Sequence, residues 1–182
     1  MKKYLIISLL AFQIGLMGCA QINSSEKAIE YAKDTTVIET PKLEPLGYVN
    51  DFEELYSQAQ VQQLDSLIIN FEKRKGVQIA IVTLDSNYTD SDNFDDYCLK
   101  LANTWGVGQK GLDNGVLIGI SKSLRKMRIQ NGNGIEKILS DEATSKIIQG
   151  YFIPKFKEGK YFEGTFDGLQ VLISSLENNM DK

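Results

Sequence analysis

The chain contains no histidine. That absence removes the Ser-His-Asp and Cys-His arrangements on which most nucleophilic hydrolases rest. It also removes nearly all catalytic zinc sites. Cysteine is almost as scarce, with two residues, Cys19 and Cys98. Proline occurs three times, at Pro41, Pro45 and Pro154, so most of the chain is free to build regular structure. Basic charge is in deficit: 20 Lys and Arg stand against 24 Asp and Glu, a formal charge of −4. An acidic chain is poorly suited to nucleic acid, whose phosphates demand Lys and Arg, so no nucleic-acid partner is expected. No apolar run reaches the roughly 20 residues that a membrane-spanning helix needs. Chemistry in such a chain must rest on carboxylates, amides, hydroxyls, Lys or Arg, or on a metal that accepts oxygen ligands.

What is present begins with an address. Met1-Lys2-Lys3 is a charged start, Tyr4 to Leu16 is largely apolar, and Leu16-Met17-Gly18-Cys19 closes the run. This is the layout of a secretory signal peptide, and its last four residues resemble a bacterial lipoprotein lipobox. The resemblance implies cleavage before Cys19, lipid on its thiol and new amino group, and a place in the bacterial cell envelope, held to the membrane by the lipid. Removing residues 1–18 takes away Lys2 and Lys3, so −4 becomes −6. With Cys19 lipidated, Cys98 stands alone and no intramolecular disulfide forms. Residues 19–45 are polar and of mixed charge, with Pro41 and Pro45 near their end; they read as a flexible tether. Residues 46–182 read as one folded domain, long enough to bury a core.

Within that domain the apolar period alternates. Gly47 to Asp51 predicts a short strand. Ser57 with Gln60 forms a capping-box pattern ahead of Val61, Leu64, Leu67, Ile68 and Phe71 at helical spacing, and Gly76 stands where a helix would end. Val77 to Leu84 is apolar and β-branched, as in a strand buried on both faces. Asp92 or Asn93 is expected to cap a second helix, with Phe94, Tyr97, Cys98, Leu101, Ala102 and Trp105 inward and Gly106 at its end. Gly115 to Ser121 predicts another buried strand, and Lys126 to Gln130 its hairpin partner with Met127 and Ile129 on one face. A third helix is expected from Ser140 until Pro154 stops or kinks it, and a last one over 165–176. Strands alternating with helices predict an α/β layered sheet with helices on both faces.

Three loops join carboxylates to glycine or asparagine: Val49-Asn50-Asp51, Lys110-Gly111-Leu112-Asp113-Asn114-Gly115, and Asn131-Gly132-Asn133-Gly134-Ile135-Glu136, with Asp141 following. Asp, Asn and Gly are also what any tight turn prefers. As a ligand set, however, carboxylates, amide oxygens and backbone carbonyls are hard donors suited to Ca²⁺ or Mg²⁺. Other residues have plainer readings: Cys98 as a buried thiol, Arg125 and Arg128 as hairpin cations suited to a salt bridge or a phosphate. Tyr151, Phe152, Phe156, Tyr161 and Phe162 read as an aromatic cover over one sheet edge or a partner surface.

The ordered set Gly47-x-Val49-x-Asp51, Trp105-Gly106-Val107-Gly108, Lys110-Gly111-x-Asp113-Asn114-Gly115-Val116-Leu117, Arg125-Lys126-x-Arg128-Ile129, Gly132-x-Gly134-x-Glu136 and Pro154-x-Phe156-x-x-Gly159-x-Tyr161-x-x-Gly164 resembles the TPM domain family, across about residues 46–176. The resemblance implies an α/β fold, a Rossmann-like three-layer α/β/α sandwich with a small mixed sheet, in an exported or anchored protein, calcium at acidic loops in some members, and acid phosphatase activity in a plant thylakoid-lumen member. Carried onto this chain, it implies Asp51, Asp113 and Glu136 as metal ligands, with Asp141 and the Gly132 carbonyl as further candidates. Two functions follow as expectations: a lipid-anchored calcium-binding module acting through an envelope protein partner, or a metal-dependent hydrolase of phosphate monoesters.

Overall fold

The computed structural model describes residues 43–181. Their centre is a four-stranded sheet in the order β1 (Val49–Asp51), β2 (Gln78–Thr83), β3 (Gly115–Ser121), β4 (Lys126–Asn131). β1, β2 and β3 are parallel, and β4 returns antiparallel to β3 through a tight hairpin, with Ile118 opposite Ile129. All seven residues of β3 are buried. A strand in that position needs apolar cover on both faces, and the alternation of its side chains decides which helix covers which.

Val116, Ile118 and Ile120 share one face with Ile79, Ile81 and Ile129. That face is covered by α1 (Gln58–Lys75), through Leu64, Ile68 and Phe71, and by α6 (Tyr161–Met180), through Leu169, Leu172 and Leu176. Leu117, Ala80 and Val82 face the other way, against Phe94, Cys98 and Leu101 of α2 (Phe94–Trp105). The result is the expected three-layer sandwich, with its helices divided unevenly between the two faces. On the α2 face Gly119 leaves the room that the Cys98 sulfur fills; a Cβ there would lie 2.3 Å from Sγ.

The ends of α1 form as the sequence predicts. Ser57 accepts from the Gln60 N–H while Gln60 Oε1 accepts from the Ser57 N–H, and Gly76 closes the helix in the left-handed region at φ 70°. Lys73, Arg74 and Lys75 sit in the last turn, where they favour the negative end of the helix dipole. The start of α2 differs from expectation. Asn93 occupies the cap position without capping; Asp90 instead accepts the backbone N–H groups of Asp92 and Asn93.

The largest departure lies after Ser140. In place of one helix running to Pro154 there is α4 (Asp141–Ile147), capped by Ser140, then a π-helical turn (Ile148–Phe152), then α5 (Ile153–Lys157). A short α3 (Asn133–Glu136) precedes them. Proline lacks an N–H and its ring collides with the carbonyl four residues back. The widened turn ahead of Pro154 takes up that conflict, so the chain bends and continues. It also turns Phe152 into the core beneath α6, where Gly168 leaves room for its ring. α6 itself runs longer than expected, from Tyr161 to Met180.

A methyl group at Gly168 would meet the Phe152 ring at 2.2 Å, whereas one at Gly150 meets nothing within 4 Å. Gly168→Ala is therefore expected to destabilise the fold by about 1–3 kcal/mol, and Gly150→Ala to be neutral or slightly stabilising. Urea unfolding of both variants distinguishes these outcomes.

Candidate functional site

The sheet has two ends, and the pairing register decides which loops meet at each. Asp51 pairs with Thr83, Thr83 with Ile120, and Ile120 with Met127; these mark the carboxyl end of the parallel strands. Gln78 pairs with Gly115, and Val116 with Asn131; these mark the opposite end. Asp113 lies two residues before the start of β3, and Gly132 and Glu136 follow β4, so the hairpin brings both acidic loops to the end away from Asp51. The separation is the length of β3, about 20 Å at roughly 3.3 Å per residue. Asp51 therefore does not join Asp113 and Glu136, and the three carboxylates expected as one ligand set fall into two places.

At its own end Asp51 serves the backbone. Its Oδ1 accepts from the Leu55 N–H at 3.0 Å and from the Thr83 hydroxyl at 2.6 Å, and its Oδ2 accepts from the Tyr56 N–H at 2.7 Å. Thr83 Oγ1 in turn accepts from the Glu53 N–H at 2.9 Å. These bonds shape the loop between β1 and α1 and seat Tyr56, whose hydroxyl meets Thr165 at 2.8 Å inside the core. Burial pushes the Tyr56 hydroxyl far above its ordinary pKa; Thr165 lowers it, and the charges of Asp51 and Glu53 raise it further.

At the other end the two glycine-rich turns interlock. Gly134 donates to the Asp113 carbonyl at 3.0 Å, and Gly132 donates to that of Gly115 at 2.9 Å. A Cβ at Gly132 would stand 2.3 Å from the Asp113 oxygen, and one at Gly134 would stand 2.2 Å from that of Leu112; glycine is needed at both for the backbones to touch. Asp113 itself adopts φ 49°, a left-handed conformation, and is exposed. Asp113, Glu136, Asn103, Gln130 and Asn133 line one cavity of about 150 Å³ between this junction and α2.

Neither Asp113 nor Glu136 has a Lys or Arg partner among the described residues. The Gly132 carbonyl is committed elsewhere, accepting from the N–H groups of Ile135 and Glu136 at 2.8 and 3.0 Å to close the α3 turn. Asp141 lies in the first turn of α4, exposed and outside the cavity. Asn131 shares the strand face of Met127 and Ile129 and also lines the cavity; its amide N–H donates to Thr144 at 3.0 Å, while its buried Oδ1 has no hydrogen-bond partner among the described residues. Among the described residues no three carboxylates, cysteines or histidines converge. The donor set is thus two carboxylates with side-chain amides, which fits a hard cation and not zinc or copper. Sequence reasoning missed Asn103 and Gln130: nothing local shows that the end of α2 lies over the acidic turns.

The family model for the TPM domain matches residues 49–175. The chain belongs to the TPM domain family. Solved structures agree with the match. This TPM domain is 32% identical to the N-terminal domain of a protein from P. gingivalis, solved in solution, with a TM-score of 0.67 over 74% of this chain and 84% of that one. The BA42 protein of Bizionia argentinensis shares the fold at 21% identity and a TM-score of 0.59, covering 70% of this chain and 86% of that one. The N-terminal domain of the cg2496 protein of Corynebacterium glutamicum does so at 16% and 0.55, covering 75% and 84%. No protein with a curated description matches the sequence.

Two expectations follow for this TPM domain. Asp51→Ala strands three donors and is expected to cost about 2–4 kcal/mol of stability, read by chemical unfolding, whereas Asp113→Asn leaves stability within about 0.5 kcal/mol. Burial, with a smaller contribution from Asp95, pushes the Cys98 thiol up to about 12, so a disulfide reagent at pH 8 is expected to label it only as fast as the domain opens. Rapid labelling of the native protein would contradict the packing of α2.

Proposed function

We propose that this TPM-domain protein is a lipid-anchored component of the bacterial envelope that binds a divalent cation, calcium in preference, and acts through a protein partner. The observation that carries the proposal is the pair of uncompensated carboxylates, Asp113 and Glu136, facing one small cavity with amide oxygens beside them. Two like charges held together by interlocked turns repel one another, and a cation between them removes that repulsion. Calcium tolerates amide and carbonyl ligands and irregular geometry, and keeps water where protein donors are few. Asp113 and Glu136 would supply the charge, and Asn103, Asn133 and Gln130 neutral oxygens.

Such an ion fixes the spacing of the turn before β3, the turn after β4 and the end of α2. That is a change of surface shape and charge, which suits a binding module. The lipobox-like run ending at Cys19 supports the anchor and sets the module beside other envelope proteins.

A calcium titration of the full-length chain, followed by calorimetry, tests the reading. Two carboxylates predict a dissociation constant of about 10⁻⁴–10⁻³ M, weakened at least about tenfold in Asp113→Asn and unchanged in Asp51→Ala. No saturable binding at millimolar calcium overturns it. Turnover of an aryl phosphate that disappears in Asp113→Asn would replace the binding module with a metal-dependent phosphatase. Loss of the membrane-bound fraction in Cys19→Ser is expected if the anchor is lipid.

A further inference from the structure

The carboxyl end of the parallel strands holds a second, larger concavity of opposite character. It lies between the β3–β4 turn and the junction of α5 with α6, has a volume of about 720 Å³, and is lined by Lys122, Arg125, Lys126 and Lys157 around Phe156 and Tyr161. We infer that this groove binds a small organic anion: an aromatic or aliphatic body carrying an oxyanion.

Its size falls within the range of small-molecule sites, roughly 300–1,000 Å³, which pair an apolar lining with a few charged groups. In a chain whose net charge is negative, four cations gather at one concave surface. Five other cations of the domain are held by carboxylates: Arg74 by Glu177, Lys75 by Asp181, Arg128 by Asp95, Lys146 by Glu142 and Lys160 by Glu158; among the described residues Lys73, Lys100, Lys110, Lys137 and Lys155 are not, but none of these lines the groove. None of the four lining the groove forms an ion pair among the described residues, so a ligand does not have to displace an internal partner. Of the acidic groups beside the groove, Glu53 is engaged by the backbone N–H groups of Lys122 and Ser123 at 2.8 and 2.7 Å, and Glu158 by Lys160 at 2.8 Å.

Those same bonds fix the turn. Ser121 Oγ accepts from the Leu124 N–H at 3.2 Å, and Arg125 is held at φ 54°. A left-handed arginine costs conformational energy that glycine at the same position would not. At that position Arg125 lines the groove, and planar, bidentate recognition of an oxyanion is what arginine does best. The floor is equally fixed: the Phe156 and Tyr161 rings stack at 4.8 Å and 25°, and Phe152 meets Phe156 edge-on at 6.0 Å. Aromatic rings and four cations lining one groove match an anion with an apolar body better than they match a free inorganic ion. The groove lies at the end of the sheet remote from Asp113 and Glu136, so its occupancy is independent of the cation proposal.

The test is an amide-resolved NMR titration of the full-length chain without calcium, using 4-phenylbutyrate and phenylphosphonate as probes and neutral 4-phenylbutanol as control. Saturable shifts confined to residues 121–126 and 153–161, from either anion and at least about tenfold weaker for the alcohol, are expected. Arg125→Gly is expected to lose about tenfold in probe affinity while its melting temperature stays level or rises, because glycine relieves the strain. Lys126→Ala, on an exposed strand end, provides a second variant with the same loss and an unchanged fold. Shifts spread equally over Lys73, Lys100 and Lys110, equal binding of the alcohol, unchanged affinity in both variants, or no binding at millimolar probe each overturn the inference.

Discussion

Burial of β3 on both faces is the constraint from which the rest of the domain follows. Every residue of that strand is removed from water, and each large aliphatic side chain so buried contributes about 1.5–3 kcal/mol relative to exposure. That gain is available only if helices cover both sides. One face takes α1 and α6 with the π-turn region behind them, and the other takes α2. β1 and β2 lie parallel to β3 because helical crossovers return the chain to the same end each time, and β4 is antiparallel because a tight hairpin cannot do so.

The same topology separates the chemistry. Crossovers place the loops after β1 and β2 at the carboxyl end of the parallel strands, while the turn entering β3 and the turn leaving β4 meet at the other. Carboxylates are therefore divided by task. Asp51 and Glu53 are engaged by backbone N–H groups and organise the loops around them. Asp113 and Glu136 line a cavity with no Lys or Arg partner among the described residues. Acidic residues that look alike in a list of loops differ by whether the fold has already satisfied them.

Much of the architecture was legible because it is written in local patterns. The capping box at Ser57 and Gln60, the left-handed glycines at Gly76 and Gly106, the largely apolar β2 and β3 and the alternating β4 are each decided within a few residues. The bend at Pro154 was half legible. Proline announces a break, but whether the helix stops or continues through a widened turn depends on what Phe152 packs against, and that partner, Gly168 of α6, is sixteen residues further on.

The site divides along the same line. Sequence alone determined that any ion would be a hard one and that histidine chemistry was excluded, because residue types set ligand chemistry wherever they lie. It determined the family, because several separated motifs recur in order. Only the tertiary structure decided that Asp51 stands a strand's length from Asp113 and Glu136, that the Gly132 carbonyl is spent on its own turn, and that four cations share a groove with Phe156 and Tyr161. Those facts depend on strand register and on which end of the sheet each loop reaches. Neither is encoded in the neighbours of a residue along the chain; both are set by the packing of β3 between its two helical layers.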